Sequence, residues 1–192
     1  MSDLSALPAF RGMGPVGEGG GVTVRLRDVS MVSVLARKDS GAALAQKILS
    51  EFTLVLPDGP KRSAAGGLSM LGIGPSRWMC LRDGSNSDFA AELQSMLGGL
   101  ASISDHSDGY AVFEIKGPAT HRLLAKGVPL DLDPTVFSAD SVAVTVIAHI
   151  GATVWRCNGS FMVAVFRSYA GSFWHWLVAS AAEFGLAIEG AP

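Results

Sequence analysis

The chain has 192 residues, of which 48% are hydrophobic and only 17% are charged, and its formal net charge is −2 at pH 7. This charge balance suggests no basic face, so nucleic acid is not expected as a partner. The longest runs without a charged residue, 63–76, 141–155 and 168–182, are shorter than the roughly 18 apolar residues of a membrane span, so no membrane partner is expected either.

Residues 1–21 are predicted to form a flexible N-terminal arm, because the stretch from 12 to 21 is rich in glycine and offers little to pack. Scattered apolar residues leave two alternatives open, a solvated tail or an arm that lies against another surface. In the second case Phe10 and its neighbour Arg11 are interface candidates. The first residues lack the basic start and apolar core of a signal peptide, so a cytoplasmic location is expected.

The first half of the chain alternates strand and helix patterns. Residues 41–52 predict a helix, because Leu44, Ile48 and Phe52 recur at helical spacing on one face. A second helix is predicted over 86–97. The predicted strands of this half are 22–27, 29–36, 54–56 and 77–82.

The glycine-rich segment 66–75 is the part of the chain where a phosphate-binding loop would be sought. It lacks the G-x-G-x-x-G pattern, and Pro75 and the strand at 77–82 follow it. The helix N-terminus that would hold a pyrophosphate is therefore missing. We predict glycine-permitted bends in a strand instead.

The second half repeats the alternation of strands and helices. Asn158-Gly159 is a strong signal for a two-residue hairpin turn between the last two strands. The predicted strands are 110–116, 141–150, 152–157 and 160–166, and the predicted helices are 118–126 and 170–184.

The two helices of this half carry specific expectations. In the first, Pro118 fits the first helical position and Gly127 fits a left-handed residue just after the end. In the second, Phe173 and Leu177 lie on one stripe, whereas Trp174 is turned about 100° away from Phe173. Trp174 therefore faces either another element of this chain or another subunit, and we take it as an interface candidate.

Few residues suggest chemistry. The best candidate for a metal site or an acid/base site is Asp105-His106-Ser107-Asp108-Gly109, although the same residues are typical of a tight turn. Cys80 and Cys157 lie in apolar strand patterns and are expected to be buried free thiols. We predict no catalytic residue, no cofactor-binding residue and no metal ligand in this chain.

The order of elements predicts an α+β fold built from two pseudo-repeated units, each reading strand, helix, strands, helix, with antiparallel or mixed sheets. The first unit is predicted at residues 22–104 and the second at 105–192. Both are expected to belong to one compact globular body.

Part of the chain resembles a known family. The resemblance spans roughly residues 22–187 and is strongest from residue 104 onward. It lies in these segments: 105–109, 117–119, 123–127, 130–132, 145–149, 166–170, 173–177 and 183–185. They match the order of segments in the gamma subunits of heterotetrameric sarcosine oxidase. The fold of that family is similar to the folate-binding domain of the aminomethyltransferase, the T-protein of glycine cleavage.

The resemblance implies a non-catalytic subunit that packs directly on a large alpha subunit, with beta and delta subunits in the same complex. Such a complex oxidises sarcosine to glycine with tetrahydrofolate and oxygen, giving methylene-tetrahydrofolate and hydrogen peroxide. FAD, FMN, NAD, tetrahydrofolate and zinc are implied in the partner subunits and none in this chain. Tyr169, in the matching segment 166–170, is a further interface candidate.

Three alternatives stay open at this point. In the first alternative, the chain is a subunit of an N-methylglutamate dehydrogenase, whose corresponding subunit is similar. In the second, it is a stand-alone folate-dependent aminomethyltransferase-like protein, in which Asp105, Asp108 or Asp131 contacts an amine or a pterin. In the third, it is a small-molecule binding module with a vestigial pocket between its two repeats.

Overall fold

The computed structural model describes residues 20–189. Its helices are α1 (Gly41–Phe52), α2 (Phe89–Leu97), α3 (Thr120–Leu124) and α4 (Ala170–Ala181), with a short 3-10 turn at Arg167–Tyr169. Its strands are β1 (Val22–Arg27), β2 (Val29–Ala36), β3 (Arg62–Ala65), β4 (Leu68–Gly74), β5 (Arg77–Asp83), β6 (Ala101–Asp105), β7 (Tyr110–Lys116), β8 (Val142–Ile147), β9 (Ile150–Cys157), β10 (Ser160–Phe166) and β11 (Leu186–Ile188). Phe10, Arg11 and all but the last two residues of the predicted arm lie outside this range.

The strands form two sheets with related topology. One sheet has five strands in the order β3-β4-β5-β2-β6, and the other has six in the order β8-β9-β10-β7-β1-β11. If β1 is left aside, the second order repeats the first, strand for strand. Each unit also has its helices at the same places in the chain order, after its first and fourth strands. The predicted α+β fold with two pseudo-repeated units is therefore confirmed.

The strand β1 differs from its predicted place. It was expected in the first unit, but it lies in the six-stranded sheet, antiparallel to β7 and parallel to β11. Only Asp28 separates it from β2, so the chain crosses from one sheet to the other at this residue. Alternating apolar residues define a strand but do not specify its distant partner. The division into residues 22–104 and 105–192 otherwise stays a prediction.

The two sheets pack face to face, and helices cover their outer faces. The cluster between the sheets joins Met31 and Leu81 of the five-stranded sheet to Trp155 and Met162 of the six-stranded sheet. The outer face of the six-stranded sheet packs with residues of α3 and α4, and that of the five-stranded sheet with residues of α1 and α2. The architecture is therefore a four-layer sandwich of helices, sheet, sheet and helices.

Strand alternation explains how one sheet supplies two cores. In β10, Phe161, Val163 and Val165 belong to the cluster under the helices. Met162 and Ala164 point the other way, into the cluster between the sheets. Successive side chains of a strand face opposite sides, so a strand buried on both sides reads as a continuous apolar run.

The segment that follows α3 differs from the prediction that Gly127 is a left-handed residue just after the helix. The helix ends at Leu124, two residues earlier than predicted, and Gly127 is not among the residues with a positive φ angle. Glycine is needed at position 127 because of packing rather than because of its backbone conformation. A Cβ atom added to Gly127 would lie 2.5 Å from Cζ2 of Trp176, so the indole ring packs directly on this residue.

Other differences concern short elements. Residues 54–56 form no strand, whereas the three-residue strand β11 at the edge of the six-stranded sheet was not predicted. The glycine-rich segment contains the whole of β4, which has an irregularity in its register between Gly72 and Gly74. The predicted bends in a strand are thus confirmed. Within residues 20–189, no helix is both long enough and apolar enough to cross a membrane.

Candidate functional site

The interface candidates that fall in the described part of the chain have opposite environments. Tyr169 is 51% exposed and lies in the 3-10 turn between β10 and α4. Trp174 is only 5% exposed and belongs to the core beneath the helices. The two residues therefore cannot play the same part, because of these two only Tyr169 is exposed to solvent.

Trp174 is corrected from an interface candidate to a core residue. The buried face of α4 is wider than a single stripe. At one edge of it Phe173 packs on Phe113 of β7, with 4.9 Å between the ring centroids. At 100° per residue, the other buried residues Ala170, Leu177 and Ala181 lie between Phe173 and Trp174. The buried face thus extends about 100° from Phe173, and Trp174 lies at its far edge.

The best chemical candidate of the sequence, residues 105–109, forms a tight turn between β6 and β7. One carboxylate oxygen of Asp105 accepts hydrogen bonds from the Ser107 backbone N–H at 2.9 Å and from its hydroxyl at 2.7 Å. These bonds stabilise the charged carboxylate and lower the pKa of Asp105. The carboxylate thus serves as the acceptor of a turn, which is the usual role of Asp in this position.

The other polar groups of this turn have separate partners. His106 donates its backbone N–H to the carbonyl oxygen of Met31 at 2.7 Å, and its Nε2 lies 3.1 Å from the hydroxyl of Ser33. Asp108 is fully exposed and lies 3.7 Å from a guanidinium nitrogen of Arg167. The acidic and imidazole groups therefore do not converge. Among residues 20–189, no three His, Cys, Asp or Glu side chains are grouped to hold a metal ion.

A cleft of about 500 Å³ opens between the two sheets. Both repeats contribute to it, as expected for a pocket between them. Its walls combine apolar strand residues with the glycine turn between β3 and β4. The residues that bear on its chemistry are Arg27, Arg62, Asp83, Glu114, Trp155 and Cys157.

The cations of this cleft are neutralised by neighbouring carboxylates. Arg27 donates to Glu114 at 2.9 Å and to Asp83 at 2.8 Å, so its guanidinium joins the two sheets. The hydrogen bond to Glu114 is the main reason that the pKa of Arg27 is raised. Arg62 donates to Asp140 at 2.7 Å. These ion pairs link the two repeats, and an anionic ligand would have to displace them.

Neither cysteine is activated. Burial raises the pKa of the Cys80 thiol to about 12. Burial also raises the pKa of Cys157 at the edge of the cleft. Both thiols are therefore protonated near neutral pH, whereas the nucleophile in cysteine chemistry is the thiolate.

An exposed aromatic group lies at one end of the six-stranded sheet. Phe166, the last residue of β10, stacks on Tyr110 with 4.9 Å between the ring centroids and is still 49% exposed. His106 meets the edge of Tyr110 at 6.1 Å. The Arg167 N–H donates to the Gly109 carbonyl oxygen at 2.9 Å and ties the two segments together. This end of the sheet presents aromatic surface to solvent, which is typical of interfaces.

The sequence interpretation missed Phe166 as a surface residue. It gave residue 166 only as the end of a predicted strand and did not consider its exposure. Phe166 alternates along β10 in step with Met162 and Ala164. That parity places it on the side of the sheet that faces the other repeat. The informative signal would have been the overlap of the two sheets, which a single sequence does not contain.

Comparisons with known proteins agree on one family. The sequence model of the sarcosine oxidase, gamma subunit family matches residues 37–183. A sarcosine oxidase subunit gamma of Corynebacterium sp. (strain P-1) is 30% identical over 169 residues, covering 84% of this chain and 82% of that protein. A subunit of the same name from Arthrobacter sp. is 29% identical over 166 residues, covering 84% of this chain and 81% of the relative.

Solved structures extend the comparison to the fold. A chain of the heterotetrameric sarcosine oxidase from Corynebacterium sp. U-96, in complex with pyrrole 2-carboxylate, superposes with a TM-score of 0.77 and 26% identity. The match covers 92% of this chain and 91% of that chain. The glycine cleavage system aminomethyltransferase T from Bartonella henselae has a TM-score of 0.65 at 13% identity, covering 90% of this chain and 48% of that chain. The second likeness concerns the fold alone.

Proposed function

Since the chain belongs to the sarcosine oxidase gamma subunit family, we propose that it is a non-catalytic subunit of a heterotetrameric sarcosine oxidase. In this proposal it packs directly on the large alpha subunit, in a complex that also contains beta and delta subunits. The complex oxidises sarcosine to glycine in the cytoplasm, with tetrahydrofolate and oxygen as co-substrates and methylene-tetrahydrofolate and hydrogen peroxide as products.

The observation that carries this proposal is the extent of the structural match. The match covers 92% of the present chain and 91% of the chain from a heterotetrameric sarcosine oxidase. A protein that corresponds to one subunit over nearly its whole length is best understood as that subunit. The proposed role is therefore assembly and support of the complex.

The local chemistry supports a structural role. Asp105 holds a turn, and Arg27 links the two sheets through Asp83 and Glu114. The thiols of Cys80 and Cys157 have raised pKa values. The side chains that would carry chemistry are thus engaged in folding contacts or kept unreactive. We propose that FAD, FMN, NAD, tetrahydrofolate and zinc are held by the partner subunits.

A stand-alone folate-dependent aminomethyltransferase-like protein is the second candidate. The fold similarity to aminomethyltransferase T favours it, although this chain spans only 48% of that protein at 13% identity. Membership of an N-methylglutamate dehydrogenase complex is a third candidate, because the substrate is not determined by this chain.

Binding and turnover by the isolated chain separate these candidates. We expect no heat of binding when tetrahydrofolate is titrated into the chain by calorimetry, and no hydrogen peroxide when sarcosine is added. The physical reason is that Asp105, Arg27 and Arg62 already have intramolecular partners. A glycine cleavage T-protein serves as the positive control for folate binding. Tight folate binding or sarcosine turnover by this chain alone would contradict the proposal.

A further inference from the structure

The walls of the inter-sheet cleft are joined at both flanks. On one flank only Asp28 separates β1 from β2, so the two sheets are covalently connected there. On the other flank the chain before β3 meets the start of β8. The Val142 N–H donates to the Pro60 carbonyl oxygen at 2.9 Å. The Arg62 N–H donates to the Asp140 carbonyl oxygen at 2.7 Å. Walls that are already fixed lose little conformational entropy when a ligand binds.

The charged side chains that line this cleft balance one another. Two are cations, Arg27 and Arg62, and two are anions, Asp83 and Glu114. They also lie near one another: burial raises the pKa of the Cys157 thiol, and the charges of Arg62, Glu114 and Arg27 act on the same group. A lining with both signs does not favour a ligand of net charge, but it is complementary to a ligand that carries both signs itself.

Both signs retain hydrogen-bonding atoms that the described chain does not use. Arg62 donates to Asp140 from Nη1, and within residues 20–189 its Nε and Nη2 have no acceptor. Of the carboxylates that hold Arg27, Glu114 accepts only at Oε2 and Asp83 only at Oδ1, so one oxygen of each has no donor from the same residues. A zwitterion can bind at these atoms and leave the ion pairs intact, whereas an anion would have to displace a carboxylate.

The floor of the cleft is apolar and carries a few neutral polar groups. Trp155 and Met162 line it and belong to the cluster between the sheets. Ser69, Asn158 and Ser160 line it too, and their side chains have no hydrogen-bond partner in the part of the chain that the structure describes. Apolar walls with a small number of polar groups, in a volume of roughly 300–1,000 Å³, are typical of small-molecule sites.

The positions of the two ion pairs limit the length of a ligand. In the six-stranded sheet Glu114 pairs with Met162, and Met162 pairs with Trp155. The next strand is β8, which begins two residues after Asp140. Three strand spacings of nearly 5 Å give about 14 Å, and a hydrogen bond of about 3 Å at each end leaves about 8 Å for the ligand. Two or three extended residues cover this length at about 3.5 Å each, whereas a single amino acid does not.

We propose that the inter-sheet cleft binds a free peptide of two or three residues in its zwitterionic form. Its carboxylate accepts from Nε or Nη2 of Arg62, and its ammonium group donates to Oε1 of Glu114 and Oδ2 of Asp83. An apolar side chain of the peptide packs on Trp155 and Met162. Since both ends of the peptide are bound, an internal segment of a longer chain does not fit. The inference concerns this chain by itself and goes beyond the proposed function.

Titration of the tripeptide Gly-Leu-Gly into the isotope-labelled full chain, followed by amide NMR, tests the inference. We expect saturable shifts at Gly66, Gly67 and Asn158, which line the cleft. A dissociation constant of about 0.1–1 mM is expected for a ligand of about 17 non-hydrogen atoms. Acetylation of the amino end or amidation of the carboxyl end should each weaken binding at least ~10-fold, because a hydrogen bond between charged groups is lost.

Two variants of the chain test the same contacts from the other side. R62Q and D83N are each expected to weaken binding of the tripeptide at least ~10-fold. The Asp83 side chain is 68% exposed, so D83N keeps the fold even if R62Q loosens the link to Asp140. The matched control is R82Q. Arg82 is the neighbour of Asp83 on β5, but its guanidinium donates to Glu92 of α2 at 2.6 Å, and binding should be unchanged.

Three outcomes would overturn the inference. The first is an absence of shifts at the cleft with about 10 mM tripeptide, ten times the weakest expected dissociation constant. The second is equal affinity for the free and the blocked peptides, which would indicate nonspecific contact with the apolar floor. The third is unchanged binding by both R62Q and D83N, or an equal loss in R82Q. None of these outcomes bears on membership of a complex, so the proposed function is tested separately.

Discussion

Replacement of Trp174 by alanine is expected to lower the free energy of unfolding of the isolated chain by about 3–5 kcal/mol, as for other large aromatic residues removed from a core. Trp174 is only 5% exposed and belongs to the cluster between α4 and the six-stranded sheet. Its removal leaves a cavity that the surrounding side chains fill only in part. Urea denaturation followed by circular dichroism measures the effect without depending on tryptophan fluorescence.

The matched control is Y169A, at the start of the same helical segment. Tyr169 is 51% exposed, so its loss is expected to change the free energy of unfolding by no more than about 1 kcal/mol. W174A should therefore reduce stability, whereas any effect of Y169A should be on assembly. If W174A unfolds like the wild-type chain but no longer joins the complex, Trp174 is an interface residue after all.

Replacement of Gly72 by alanine is expected to destabilise the chain by about 3 kcal/mol, at the upper end of overpacking effects. A Cβ atom at this position would lie 1.9 Å from the carbonyl oxygen of Gly59 and 3.0 Å from its carbonyl carbon. The obstacle is backbone, which cannot rotate away as a side chain does. The Gly72 N–H also donates to the Lys61 carbonyl oxygen at 2.9 Å, so the two segments cannot separate freely.

The same segment supplies the control, G74A. A Cβ atom at Gly74 would meet no atom within 4 Å, and its φ angle is not positive. This replacement is expected to be neutral or to stabilise the chain by up to about 1 kcal/mol, because alanine restricts the unfolded state. Thermal denaturation of both variants decides the matter, and equal melting temperatures would contradict the close approach of the turn at Gly59 to β4.

Elements with a strong local pattern were predictable from the sequence. The helix α1 has the predicted bounds, because its apolar residues recur at one clear spacing. The Asn158-Gly159 turn joins β9 and β10 as predicted, and Gly159 has a φ angle of 81°. The family resemblance, which depends on segments rather than on single residues, was confirmed by the family comparison.

Long-range pairing was not predictable from the same patterns. In β1, Thr23 pairs with Lys116 and Val22 pairs with Leu186, and nothing local in the chain indicates either partner. The burial of Trp174 depends in the same way on the neighbours of α4. Helical periodicity indicates which residues share a face, but tertiary packing determines how wide the covered face is.

At the candidate site, even less of the long-range arrangement was predictable from local sequence patterns. The turn at residues 105–109 was recognised from its composition, and its hydrogen bonds follow from the ordinary behaviour of Asp and Ser. The inter-sheet cleft, by contrast, has walls from both repeats, and its salt bridges join β1 to β5 and β7. Such a site exists only after the two sheets have packed.

Native mass spectrometry of the tagged chain, purified from its own host, tests the central claim most directly. We expect one particle with a single copy of this chain and three different partner chains, one of which carries flavin. The visible absorbance of bound flavin in the same sample provides a second reading of that partner. A chain that purifies alone, or only with copies of itself, would contradict the assignment as a subunit of a heterotetrameric sarcosine oxidase.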